Sequence, residues 1–130
     1  MADSILIGRL PLSTLLLFND ARYPWYILVP RCADISEVFQ LADADQQQLW
    51  RESASLARHM MHAFHADKIN LGALGNLVPQ LHVHHVARFT TDPAWPGPVW
   101  GHSVAVPYAK HGITERVGMA FDWFGTELTV

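Results

Sequence analysis

Three observations predict an α+β fold, with an antiparallel sheet of about five strands, one long helix and a C-terminal helix. Short apolar runs bounded by turn residues open the chain. A stretch from about Ala44 to Ala66 contains neither Pro nor Gly and carries an apolar stripe at helical spacing. Two further short apolar runs follow it, and then a last amphipathic segment. Strands, helices, strands and a helix in that order favour an antiparallel sheet.

The first strands are Ile5 to Leu10 and Leu15 to Phe18, set around Pro11-Leu12-Ser13-Thr14. Asn19 to Pro24 is rich in turn formers and breaks the pattern. Trp25 to Val29 is an apolar and aromatic run ending at Pro30, the mark of a buried strand. Asp34-Ile35-Ser36-Glu37 opens a short helix through its polar capping residues. In the long helix Leu49, Leu56, Met60 and Phe64 share one face. Lys68 to Leu71 is a strand, and Gly72-Ala73-Leu74-Gly75-Asn76 is a glycine-bearing loop. Leu81 to Phe89 is a strand, followed by the loop Thr90 to Pro98. Tyr108 to Phe124 holds the last helix, with Ile113, Val117, Phe121 and Phe124 at helical spacing. No repeat or linker divides the chain, so residues 1–130 are expected to form a single domain.

Half of the chain is hydrophobic and 16% is charged, which suits a packed core. The formal charge of -3 argues against broad binding to nucleic acid, which favours a basic surface. It leaves room for a single nucleotide in one pocket. The single cysteine, Cys32, permits no internal disulfide and reads as a filler residue, in keeping with a reducing compartment. No basic leader and no long apolar span are visible, so a cytoplasmic protein without membrane association is expected.

The most chemical segment is Gln80-Leu81-His82-Val83-His84-His85-Val86. On a strand, Gln80, His82 and His84 fall on one face. A buried polar group costs free energy unless it is partnered, so three on one face of an apolar strand suggest a site. Imidazole has an unperturbed pKa of about 6.5 and is a competent nucleophile near neutral pH. Attack on phosphorus needs a donor for the charge that develops on the phosphoryl oxygens. His84 can be that donor, and backbone N–H groups around Gly72 and Gly75 can hold an anion.

The run from Asn70 through Gly72, Gly75, Asn76 and Leu77 to His82 and His84 resembles the signature of the histidine triad (HIT) family. That family is known for nucleotidyl hydrolases and transferases acting on diadenosine polyphosphates and nucleoside phosphoramidates. Phe18-Asn19-Asp20 and Trp25 to Pro30 resemble the family's ribose-binding turn and the strand after it. The likeness covers roughly Leu15 to Arg88. It implies His82 as nucleophile and His84 as phosphate contact, with Gln80 in place of the first histidine. It also implies Asn70, Asn76 and Gly75 near phosphate, and Asp20 or Asn19 at the ribose. It further implies a small nucleotide substrate, no cofactor, no metal and a homodimer.

Several residues depart from the family pattern. Gln80 cannot titrate and can only orient a partner. Leu77 stands where a hydroxyl residue contacts the phosphate or leaving group. His85 occupies an apolar position, and alternation turns it to the opposite face, as a core or interface histidine. These departures leave open a second reading, a catalytically weak or inactive nucleotide-binding or regulatory module on the same fold. A third reading, a zinc site using His82, His84 and a helix histidine, lacks a clear third ligand. His59, His62 and His65 are expected as ordinary helix residues. Trp95 and Trp100 are expected in aromatic packing or a dimer contact, with base stacking as the other possibility.

Overall fold

The computed structural model describes residues 3–130. Five strands form one antiparallel sheet: β1 (Ser4–Arg9), β2 (Ser13–Phe18), β3 (Trp25–Pro30), β4 (Lys68–Gly72) and β5 (Val83–Arg88). Their spatial order is β1-β2-β3-β5-β4. Two helices complete the domain, α1 (Asp43–Phe64) and α2 (Lys110–Phe124). The sequence-predicted fold class is the observed one.

Alternation sorts the sheet into two faces. One face carries Leu15, Leu17, Tyr26, Leu28, Val83 and Ala87, and packs with Leu49, Leu56 and Met60 of α1. The apolar stripe of the long helix is thus buried as its spacing requires. The other face carries Trp25, Ile27 and Val86, covered by Tyr23, Ala94 and Val99. Because helices cover one face and the 90–100 loop covers the other, every residue of β5 is buried.

Two polar groups of α1 are buried against the sheet and both are partnered. The Glu52 carboxylate accepts the backbone N–H of Leu12 at 2.7 Å and of Ser13 at 3.1 Å. It thereby satisfies two buried N–H groups of the turn between β1 and β2. Ser53 Oγ lies 2.7 Å from His85 Nε2, and His85 Nδ1 lies 3.1 Å from Val83 O. His85, fully buried, is therefore a satisfied core histidine on the helix side of the sheet.

The C-terminal segment bridges the free edge of β1 at one point, Arg9. Arg9 N–H donates to Thr129 O at 2.7 Å, and Thr129 N–H returns the bond to Arg9 O at 3.0 Å. Gly8 makes room for this, since a Cβ there would sit 2.5 Å from Thr129 O. The opposite edge, β4, keeps Leu71 half-exposed.

Two expectations are narrowed. The short helix that Asp34 to Glu37 opens is a single 3-10 turn, Val38–Gln40, with Glu37 as its N-cap and Asp34 at a left-handed φ of 59°. Gln40 caps that turn by accepting the Glu37 N–H at 3.0 Å and the Ser36 N–H at 2.8 Å. Ser36, Glu37 and Gln40 thus close a single 3-10 turn and do not nucleate a longer helix, whose first turn is costly. The strand expected from Leu81 to Phe89 spans only Val83–Arg88. Pairing with β3 ends at Leu28 and Val83, and Leu81 N–H turns to Ile35 O at 2.8 Å. Among the described residues no helix is long and apolar enough to cross a membrane.

Candidate active site

β5 presents His84, Val86 and Arg88 on the sheet face turned away from α1 and α2. His82 lies just before the strand, not in it as expected, and still places its ring beside that of His84. The ring centroids are 5.1 Å apart at an interplanar angle of 69°. Both residues are about 95% buried, with relative exposures of 6% and 5%.

Hydrogen bonds fix the tautomer of each ring. His82 Nδ1 lies 2.6 Å from the backbone carbonyl of Gln80. A carbonyl only accepts, so Nδ1 carries the proton and Nε2 keeps its lone pair. His84 Nδ1 lies 2.8 Å from Trp25 Nε1. An indole nitrogen only donates, so His84 Nδ1 accepts and the proton of the neutral ring sits on Nε2. Burial, and then the neighbouring His82, lower the His84 pKa to about 4. His84 is therefore neutral near pH 7. One ring offers a nucleophilic nitrogen and the other an N–H donor. Among the described residues, neither Nε2 has a protein hydrogen-bond partner.

The two rings line a cavity of about 430 Å³. Phe18, Trp25 and Trp100 form its aromatic wall, and Leu74 to Val78 form its loop wall. Trp100 stands edge-on to Trp25, at 6.2 Å and 88°. A second hollow of about 260 Å³, lined by Thr14, Leu16, Val29, Val78 and Gln80, meets the first at His82. His82 thus stands between two compartments, with space for a group on either side.

A sequence model of the HIT domain matches residues 1–91. The chain belongs to the histidine triad family. A HIT protein of Sinorhizobium meliloti 1021 is 47% identical, with a TM-score of 0.90 over 93% of this chain and 90% of that one. A histidine triad protein of Marinobacter aquaeolei VT8 is 45% identical, with a TM-score of 0.91 over 94% and 89%. One from Bradyrhizobium japonicum is 44% identical, with a TM-score of 0.88 over 91% and 88%. No curated protein matches the chain.

The structure sorts the remaining residues that the HIT resemblance singles out. Gly75 and Asn76 line the cavity, and Gly75 takes a left-handed φ of 67° that suits glycine. Leu77 also lines it and is 96% exposed. The Gln80 side chain points elsewhere: its Nε2 lies 3.4 Å from both Pro30 O and Cys32 O. What Gln80 brings to His82 is its main-chain carbonyl.

Asn70, Asp20 and Asn19 do not line the cavity. Asn70 Oδ1 accepts a bond from Arg88 Nη1 at 2.8 Å. Asp20 is 2% exposed and holds the Arg22 guanidinium at 2.9 Å and its backbone N–H at 3.1 Å. Asn19 Oδ1 accepts the Tyr108 N–H at 2.9 Å. The turn that resembles a ribose site here ties down the segment leading into α2. Gly72 is the last residue of β4, opposite His84, and its role is steric. A Cβ there would lie 2.9 Å from two ring carbons of Trp100.

Two tryptophans of the site were legible only as strand and packing residues, and Arg88 and Asp92 behind it have no motif in the sequence to mark them. Trp25 and Trp100 line the cavity. Arg88, 1% exposed, bonds Asp92 through Nε at 2.8 Å and Nη2 at 3.0 Å, and Gly97 O at 2.8 Å. Asp92 also accepts the backbone N–H groups of Phe89 at 2.9 Å and Trp95 at 2.8 Å. This buried ion pair secures the loop that carries Trp100. Trp95 lies beside the Arg88 guanidinium, 5.7 Å from it, and outside the cavity. His59 stacks on Trp123 of α2 at 5.8 Å, and His62 and His65 are exposed. Among the described residues no group of three His, Cys, Asp or Glu is placed to hold a metal.

Proposed function

We propose that this HIT-family protein is a nucleotidyl hydrolase. The observation that carries the reading is the pair of fixed tautomers, His82 with a free Nε2 lone pair and His84 with a free Nε2–H, at one cavity. His82 Nε2 attacks the α-phosphorus of a nucleotide anhydride, ester or phosphoramidate. A P–N bond forms, the bond to the leaving group breaks with its electron pair, and the leaving group takes a proton from solvent, which the later attack of water returns. The His84 N–H donates to a phosphoryl oxygen as charge builds there. Water then attacks phosphorus, the P–N bond breaks, and nucleoside monophosphate leaves with His82 restored. A histidine nucleophile needs no metal-bound water. Gly75 and Asn76 are the loop residues placed to meet the phosphate. Asn70, Asp20 and Asn19 lie outside the lining of the cavity and are assigned no step in this scheme.

Turnover of adenosine phosphoramidate and of dinucleoside polyphosphates tests the reading. The wild type is expected to release nucleoside monophosphate, and His82→Ala to lose roughly a thousandfold or more. Full activity in His82→Ala refutes the mechanism. Monophosphate binding by calorimetry, with no turnover of the panel, favours the binding-module reading that Gln80 and the exposed Leu77 motivate. We also infer a homodimer through β4, an outer strand of the sheet that carries the exposed Leu71.

A further inference from the structure

Trp25 opens β3 and is 5% exposed. Its indole is held on two sides, by Phe18 with ring centroids 4.2 Å apart and by Trp100 at 6.2 Å. The indole N–H is therefore aimed by packing, and its one acceptor is His84 Nδ1 at 2.8 Å. The imidazole ring stands edge-on to the indole at 69°. An imidazole in water holds its proton on either nitrogen. Here a proton on Nδ1 would face the indole N–H head-on, leaving two buried donors without an acceptor. An acid or a second imidazole in the place of Trp25 could take up that proton; an indole cannot.

We propose that Trp25 is a positioning residue that locks His84 as the Nε2–H tautomer and keeps its proton on the nitrogen free to meet the phosphoryl oxygen. The role rests on the hydrolase reading, because the donor matters only if charge develops beside it. Trp25 and Gln80 then act as a pair across the site. The indole donates to one histidine at Nδ1, and the carbonyl accepts from the other at Nδ1. The same atom of two neighbouring imidazoles meets partners of opposite kind. The two Nε2 atoms are consequently set to opposite duties. Burial beside an indole donor also opposes a second proton on His84, in keeping with its lowered pKa of about 4.

Nitrogen NMR of the histidine side chains reads the tautomer directly, independent of catalysis. Two replacements serve: Trp25→Phe, and benzothienylalanine at position 25, which keeps the shape of the indole and replaces its N–H by sulfur. Wild-type His84 is expected to show an acceptor-type Nδ1 and a protonated Nε2. In both variants the two signals should move toward each other as the tautomers mix, and the His84 titration midpoint should rise. For kcat a fall of roughly tenfold to a hundredfold is expected, with KM little changed. A pure Nε2–H tautomer with an unchanged midpoint in the benzothienylalanine protein overturns the proposal even if Trp25→Phe fails to fold. Mixed tautomers with unchanged kcat overturn the positioning role. If the wild type turns over no substrate, the hydrolase reading falls separately, and the NMR result alone decides whether Trp25 sets the tautomer.

Discussion

Replacing Asp92 by Ala should cost a large share of the stability of the domain. Arg88 is 1% exposed, and Asp92 is the carboxylate paired with it, at 2.8 Å. Its other partners, Asn70 Oδ1 and Gly97 O, are neutral dipoles. Removing one member of a buried ion pair leaves an uncompensated charge and costs about 3–5 kcal/mol. The backbone N–H groups of Phe89 and Ala94 lose the carboxylate as acceptor in the same step, and Trp95 N–H keeps only the Asp92 main-chain carbonyl at 3.3 Å, which places the loss in the upper part of that range. Domains of this kind hold roughly 5–15 kcal/mol in all. The midpoint of thermal unfolding should therefore fall by about 10–20 °C.

Urea unfolding followed by tryptophan fluorescence measures the loss. Asp92→Asn, which keeps an acceptor for the loop N–H groups, should lose less than Asp92→Ala. Burial alone would raise the Asp92 pKa, but Arg88 and the two N–H groups outweigh it and lower it to about 2. A lowered carboxylate pKa contributes stability above its unfolded value of about 3.9 and loses it only as pH falls through about 2. The difference between wild type and Asp92→Ala should thus stay constant from neutral pH down to about pH 4. A loss below about 1 kcal/mol would refute the reasoning, since it would mean that the guanidinium finds solvent and the loop does not depend on the pair.

Two further outcomes are expected. The His85 pKa is lowered to about 4, chiefly by burial, and that of His84 likewise. A depressed histidine favours folding fully above about pH 6.5 and loses that contribution as pH falls toward 4, by at most about 3 kcal/mol per residue. His85→Met should visibly reduce the pH slope of urea stability over that window, to which His84 and His59 also contribute, and an unchanged slope would contradict the account. Light scattering should give a dimer mass for the wild type, and Leu71→Lys, which charges the open β4 edge, should shift it toward monomer. A wild-type monomer across micromolar concentrations would dispose of the β4 interface.

The legible parts of the fold were those with a local cause. The stripe Leu49, Leu56 and Met60 repeats at helical period, and α1 buries all three. In β2 buried and half-buried residues alternate as period two demands. His85 was placeable on the far face by the same parity, and it lies there against Ser53. Asp34 to Glu37 led only to a 3-10 turn because capping residues say where a helix can start, not how many turns follow. The extent of β5 failed because it depends on where β3 stops pairing, a fact of register rather than composition.

The site divides along the same line. His82 and His84 were legible because two residues of spacing bring their rings together. Their partners were not. Trp25 lies 59 positions from His84, and Arg88 takes Asn70 Oδ1 from across the β4–β5 pair. Both facts arise only when strands are in register. The Gln80 departure weighs differently once the geometry is known. The group that orients His82 is a main-chain carbonyl, which any residue at position 80 would supply. On the proposed reading, Gln80 in the place of a first triad histidine therefore leaves the tautomer of His82 untouched. It removes only a titratable side chain beside the second hollow, where Gln80 now bonds toward Pro30 and Cys32. The side-chain departure with direct access to the cavity is Leu77, exposed at its wall with no hydroxyl to offer. If the chemistry of this chain differs from that of a complete triad, the physical cause is to be sought in how the leaving group is received there, and not in how the nucleophile is prepared.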